Sequence, residues 1–319
     1  MLIALTFATA LVVGLIATPL VRGFAHDRGL LDHPGGRKVH RVPVPRLGGV
    51  AMAIAFGVAV GIAILVSPDL GSVGGLQPNR APAILAGVAV LLVIGVWDDI
   101  RGMRALVKLS LQVATAVVAW WLGLSIERLV LPWGAVELGI LSLPITVAWI
   151  VAVINAINLI DGLDGLAAGV VLTVLGAFGL LAAADGVDPT LFIVAATIGA
   201  AVGFLAYNLH PATIIMGDTG SMVLGFVVAA IAISLTQDGV YPQAPWVPII
   251  ALGVPIIDTA WAVVRRTARG DPFFVADRGH IHHQLLRLGR GQRDAMLLLT
   301  AVSGGLAMIA VLLGRLARG

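Results

Sequence analysis

Long apolar stretches separated by short polar segments dominate the chain. Ten stretches hold no Asp, Glu, Lys or Arg: 1–21, 47–68, 81–97, 109–126, 138–160, 165–184, 189–217, 219–237, 239–257 and 295–314. A helix needs about 20 such residues to cross a bilayer. Backbone in hydrocarbon has no water to bond and must satisfy its own hydrogen bonds, so these stretches read as helices. The pattern predicts an all-α integral membrane protein with about ten transmembrane helices. No long linker, low-complexity tail or internal repeat interrupts it, which points to a single polytopic domain over 1–319.

Composition agrees. Of 319 residues, 59% are hydrophobic and 12% charged, and the mean hydropathy is +1.02. A soluble domain carries about 25% charged residues, so this chain could not cover a water-facing surface. The first stretch lacks a basic leading region and exceeds the apolar length of a signal peptide, so it is expected to remain as a helix. Cysteine is absent, which excludes disulfides and thiolate metal sites.

Charge sets the expected orientation. The odd-numbered connections, 22–46, 98–108, 158–164, 210–218 and 265–294, carry sixteen of the twenty Lys and Arg residues. The others are Arg80, Arg128, Arg315 and Arg318. Cytoplasmic loops are enriched in Lys and Arg, so the odd connections are expected in the cytoplasm and both termini outside. The pI of about 9.9 is then mostly an orientation signal. No basic run is interleaved with aromatics, so nucleic acid is not an expected partner.

The same connections hold the chemistry-bearing residues. The first contains Asp32, then Arg37, Lys38, His40, Arg46 and the Gly48–Gly49 pair. It reads either as a topogenic basic loop beside anionic lipid or as a stiff cationic loop shaped for phosphate. The second opens on Asp98–Asp99 and ends at Lys108. Adjacent carboxylates at a helix end are costly unless they are solvated or meet a cation. The third carries Asn155, Asn158, Asp161 and Asp164 at every third position. On a helix they form one slowly turning polar stripe, which either packs against a neighbouring helix or lines a cavity.

The fourth connection contains Asn208, His210 and Gly217-Asp218-Thr219-Gly220-Ser221, with a carboxylate and no cation. Asp218 reads either as a helix N-cap or as a hard oxygen ligand suited to Mg²⁺. The fifth holds Arg278, His280, His282 and His283. Zincin spacing is missing, which favours anion binding over zinc. Asp258 lies in the ninth helix, seven residues before Arg265, where it would pair with Arg265 or Arg266 or approach the site.

Taken together and in order, these five motifs resemble the polyprenyl-phosphate N-acetylhexosamine-1-phosphate transferases along nearly the whole chain. The His280-Ile281-His282-His283 form is similar to the branch that moves GlcNAc 1-phosphate from UDP-GlcNAc to undecaprenyl phosphate and releases UMP. The resemblance implies Mg²⁺, or Mn²⁺ in its place, held by Asp218 and Asn158. It implies phosphate contacts from Lys108, Arg46, Arg278, His280, His282 and His283, and further substrate contacts from Arg37, Lys38, His40 and Asn155. Asp161 and Asp164 would touch the nucleotide sugar, with Asp98 and Asp99 as positioning groups in the reaction centre. A bacterial inner-membrane location, a cytoplasmic site and a homodimer are implied as well. One departure stands out: many relatives carry an aromatic three residues before the magnesium aspartate, where this chain has Ile215. Another UDP-sugar donor, UDP-GalNAc or UDP-MurNAc-pentapeptide, is the enzymatic alternative. A secondary transporter is the other, but it would show related halves and several ionisable groups at mid-bilayer.

The charge split yields a direct test. The chain has no cysteine of its own, so single cysteines at Gln77 and Gln292 are expected to label from opposite sides of intact cells. Labelling from one side only would overturn the orientation.

Overall fold

A computed structural model describes residues 1–35, 40, 42–66, 80–131, 133–184, 190–237, 244–270 and 279–317. The helices are α1 (Leu2–Asp27), α2 (Gly48–Val66), α3 (Arg80–Arg101), α4 (Ala105–Trp121), α5 (Ser142–Ile160), α6 (Leu166–Ala183), α7 (Thr190–Asn208), α8 (Gly217–Gln237), α9 (Trp246–Ala251), α10 (Gly253–Ala268), α11 (Ile281–Arg287) and α12 (Gln292–Leu316). Two small antiparallel hairpins join them: β1 (Leu31–Asp32) with β2 (Val44–Pro45), and β3 (Arg128–Leu131) with β4 (Gly134–Glu137).

The all-α membrane class holds. Eight helices are long and apolar enough to cross a bilayer: α1, α2, α3, α5, α6, α7, α8 and α12. Large apolar side chains such as Leu65, Val93 and Trp121 are exposed around the bundle, as lipid-facing positions should be. The other two predicted spans came out differently. Stretch 109–126 forms α4, which has 17 residues and at 1.5 Å per residue reaches about 26 Å. Stretch 239–257 is a broken pair, because α9 stops at Ala251 and α10 begins at Gly253, with Leu252 between them. Pro248 and Pro255 flank this break, and each removes a helix N–H. The second piece, α10, runs on to Ala268 and carries Asp258 in its first half, inside a helix as expected.

Helix α8 is the centre of the bundle. Every residue from Thr219 to Leu235 is buried, and a helix apolar on all sides belongs inside. It packs against α5, α3, α2, α6 and α7. Without a hydrophobic drive in lipid, helices associate by close packing of small residues. Gly49 of α2 lies on the backbone of Gly220, Gly95 of α3 lies on Thr219, and Gly225 of α8 lies on Ile154 of α5. A Cβ at Gly49 or Gly95 would overlap the backbone at the start of α8. These contacts fix the end of α8 that carries Asp218.

Gly95→Ala is accordingly expected to lower stability by about 1–3 kcal/mol through overpacking. Gly61 of α2 has open space where its Cβ would stand, so Gly61→Ala should leave the melting temperature unchanged or slightly raised. Thermal unfolding of the two purified variants against the parent checks this.

Candidate active site

The site starts from a helix end. The first N–H groups of α8 have no partner within their own helix. The carboxylate of Asp99, reaching over from the end of α3, supplies one: Oδ1 accepts from Asp218 N at 2.9 Å and Oδ2 from Thr219 N at 3.1 Å. The Thr219 hydroxyl donates to the same Oδ2 at 2.5 Å. Gly217 makes room, since it sits at φ +71° and any Cβ there would strike the Asp99 carboxylate. The N-cap reading of Asp218 is thus replaced: Asp99 caps α8, and the Asp218 side chain lines the site. Asp99 itself becomes a positioning group.

Its neighbour Asp98 holds Lys108. Lys108 Nζ lies 3.1 Å from Asp98 Oδ2 and 2.5 Å from Asp218 Oδ1. Sequence alone left Asp218 without a cation, because its own loop has none. The turn between α3 and α4 brings Lys108 onto it from 110 residues away. Asn158 Nδ2 donates to the same Asp218 Oδ1 and, at 2.8 Å, to Ser221 Oγ. Asp98, Lys108, Asn158 and Asp218 therefore form one linked cluster drawn from α3, α4, α5 and α8.

The first connection arrives through the β1–β2 hairpin. Buried Asp32 pairs with Arg46 through Oδ1 and with His40 Nε2 at 3.2 Å through Oδ2. Arg46 Nη1 also donates to Asp99 O at 3.3 Å, and Gly48 and Gly49 donate to the carbonyls of Ile215 and Met216. Leu47, buried at φ +74°, turns the chain from hairpin into α2, a left-handed residue that costs about 1–2 kcal/mol. Asp32 was quoted in the sequence without a role; its burial beside Arg46 and His40 is what reveals one. The buried Nε of Arg46 has no hydrogen-bond partner among the described residues, which leaves one guanidinium N–H unspent. Arg37 and Lys38, expected to bind substrate, lie outside the described residues.

The third connection is not a single helical stripe. Helix α5 ends at Ile160, Asp161 follows as its C-cap, and Asp164 lies in the turn beyond. Asn155, expected to touch substrate, is instead tied to Gln112 Oε1 of α4 at 2.7 Å and is not part of the cavity lining. The polar packing reading fits it better. Asp164 Oδ2 meets His210 Nδ1 at 2.7 Å and Ala212 N at 3.1 Å. Buried Asn208 accepts from Gly165 N and donates to Ile214 O. These bonds lock the third and fourth connections together. Withdrawal from water, followed by the charges of Asp218, Asp99 and Asp164, pushes the Asp161 carboxyl up to about 8.

The three histidines of the fifth connection divide by role. His283 lines the cavity. His280 is buried and bonds Asp258 Oδ2 through Nδ1 at 2.8 Å. His282 is buried too, its ring packed over Gly162. Burial, together with the neighbouring His283 and His280, lowers the His282 pKa to about 4. Its charged form is therefore disfavoured near pH 7, and His282 is not among the residues lining the cavity. Arg278 lies outside the described residues. The structure also gives Asp258 a partner other than the arginines expected for it.

These segments enclose a cavity of about 350 Å³ lined by Asp99, Asn158, Asp161, Asp164 and Asp218 together with His40, Arg46 and His283. Ile215 lines it as well, so an aliphatic side chain occupies the position of the aromatic. Among the described residues no three His, Asp or Glu side chains converge into a ready metal cage. Mg²⁺ does not need one, because it binds through one or two carboxylates with substrate phosphates and water. The carboxylates of Asp161, Asp164 and Asp218 on the lining supply hard oxygen donors that fit that ion.

Fold and site together describe a polytopic membrane protein with a polar cavity where its connections meet. The model of glycosyl transferase family 4 matches residues 81–236. A probable undecaprenyl-phosphate N-acetylglucosaminyl 1-phosphate transferase of Bacillus subtilis (strain 168) is 36% identical over 313 residues, 98% of this chain and 85% of that one. The undecaprenyl-phosphate alpha-N-acetylglucosaminyl 1-phosphate transferase of Escherichia coli (strain K12) is 30% identical, over 97% of this chain and 84% of that one. A decaprenyl-phosphate N-acetylglucosaminephosphotransferase of Mycobacterium tuberculosis (strain ATCC 25618 / H37Rv) is 36% identical, over 93% and 79%. The chain belongs to this family of membrane sugar-phosphate transferases, the one its motifs resemble.

Asp99→Ala is expected to cost about 1–3 kcal/mol, because it leaves the N–H groups of Asp218 and Thr219 buried without an acceptor. Asp99→Asn keeps one acceptor and should lose less. Chemical or thermal unfolding of both variants checks the order.

Proposed function

We propose that this protein transfers N-acetylglucosamine 1-phosphate from UDP-GlcNAc to undecaprenyl phosphate, releasing UMP. The site lies on the cytoplasmic face of a bacterial inner membrane. The observation that carries this reading is the meeting of residues from all five connections at one cavity. The names of the relatives supply the sugar and the lipid. The basic connections beside the cavity support the cytoplasmic side.

In the reaction a phosphate oxygen of the lipid attacks the β-phosphorus of the donor. A new P–O bond forms, the bond to the α-phosphate oxygen breaks, and UMP leaves with that electron pair. A phosphate monoester has its second pKa near 6, so it is already mostly dianionic at pH 7. No base is needed, and Asp98 acts by holding Lys108 at 3.1 Å. Lys108, Arg46, His40 and His283 then gather the phosphate oxygens, with Arg37, Lys38 and Arg278 from the first and fifth connections. Asp161 and Asp164 line the cavity, where they would contact the nucleotide sugar. Asp218 and Asn158 would hold Mg²⁺, or Mn²⁺, which when bound neutralises charge developing on the diphosphate.

A panel of UDP-sugars with purified protein and undecaprenyl phosphate, read as UMP release, tests the proposal. UDP-GlcNAc is expected to turn over, and Asp218→Asn to lose about 100-fold or more in kcat. Strong turnover with UDP-MurNAc-pentapeptide and none with UDP-GlcNAc would overturn the sugar. Parent-like turnover of Asp218→Asn at limiting Mg²⁺ would overturn the metal site.

A further inference from the structure

Asp258 stands outside the cavity and outside the five motifs, yet it is bound to one of them. Its carboxylate is buried on α10. Oδ2 faces His280 Nδ1 at 2.8 Å, and Oδ1 accepts the backbone N–H of Ile281, the first residue of α11, also at 2.8 Å. The surroundings are apolar: Val254, Ile257, Trp261, Leu299 and Val302 share a groove with it. A charge-assisted bond is strongest where water is scarce. An ionised carboxylate can only accept, so the proton between the two groups belongs to His280 Nδ1.

The histidines then connect in series. The His280 ring lies parallel to that of His282, with centroids 5.8 Å apart and planes 6° apart. His282 rests on Gly162, between the cavity-lining residues Asp161 and Leu163. His283 is tilted against His282 at 4.3 Å and lines the cavity.

We propose that Asp258 is the positioning residue of the fifth connection. It fixes His280 in its Nδ1–H form and pins the start of α11, so that His282 seats on Gly162 and His283 faces the cavity. This rests on the transferase reading only for its kinetic consequence.

The test uses Asp258→Asn, which keeps the size and one acceptor but offers an N–H to His280. Ring-¹⁵N spectra of the full-length protein in nanodiscs, with His280→Gln assigning the signal, should show His280 as Nδ1–H in the parent and as Nε2–H in Asp258→Asn. An unchanged tautomer overturns the proposal, whatever the protein turns over. In UMP release from UDP-GlcNAc, Asp258→Asn should lose about 10–100-fold in kcat, as residues that orient a site histidine do. In the His280→Gln background the same change should cost less than about 2-fold, because its effect passes through His280. Equal losses in both backgrounds would mean that Asp258 only packs, and would also overturn it. If His280→Gln falls below detection, the tautomer decides alone. If the parent uses no UDP-sugar, the function fails and the tautomer still decides on Asp258.

Discussion

The carboxylate of Asp99 on the first N–H groups of α8 is the contact on which the rest of the site depends. It satisfies donors that would otherwise be buried and orphaned, and it favours the positive end of the helix dipole. It also decides where Asp218 stands. Three glycines allow the approach: Gly95 and Gly49 let α3 and α2 touch the start of α8, and Gly217 leaves space for the carboxylate. Packing in the membrane and placement of the reactive group are thus one arrangement, and a change in either moves both.

Charge is distributed with the same economy. Lys108 serves Asp98 and Asp218 together, while Asp32 holds Arg46 and His40. Lys108 and Arg46 are thus each oriented by a buried carboxylate before any substrate arrives. Such preorganisation is how electrostatic catalysis avoids reorganisation during the reaction. The raised pKa of Asp161 shows the other side of the balance: burial first, and then the charges of Asp218, Asp99 and Asp164, disfavour its ionised form.

Buried carboxylates beside the motifs recur as fasteners. Asp32, Asp99 and Asp258 each satisfy backbone or side-chain donors of a different connection. Asp164 does the same between the third and fourth connections through His210 and Ala212. The site is therefore held by a ring of local bonds at the ends of long helices, where backbone donors and acceptors are available.

Much of this was legible in the chain. Uncharged stretches set the helices because hydrocarbon admits little else, and the motifs named the cavity-lining residues Asp161, Asp164, Asp218, Arg46 and His283. The break at Leu252 was missed because periodicity reads an apolar run as continuous even when Pro248 and Pro255 lie in it. The roles inside the motifs were not legible either. Asn155 and Asn158 look alike in sequence, yet one joins Gln112 and the other Asp218. Three histidines look equivalent, yet only His283 lines the cavity, His280 bonds Asp258 and His282 is buried neutral. Sequence determined the membrane fold and the chemical inventory, because both follow from local composition and spacing. Tertiary structure decided which carboxylate caps, which pairs with a lysine and which faces the cavity, because those partners lie tens to more than a hundred residues apart and meet only when the helices pack.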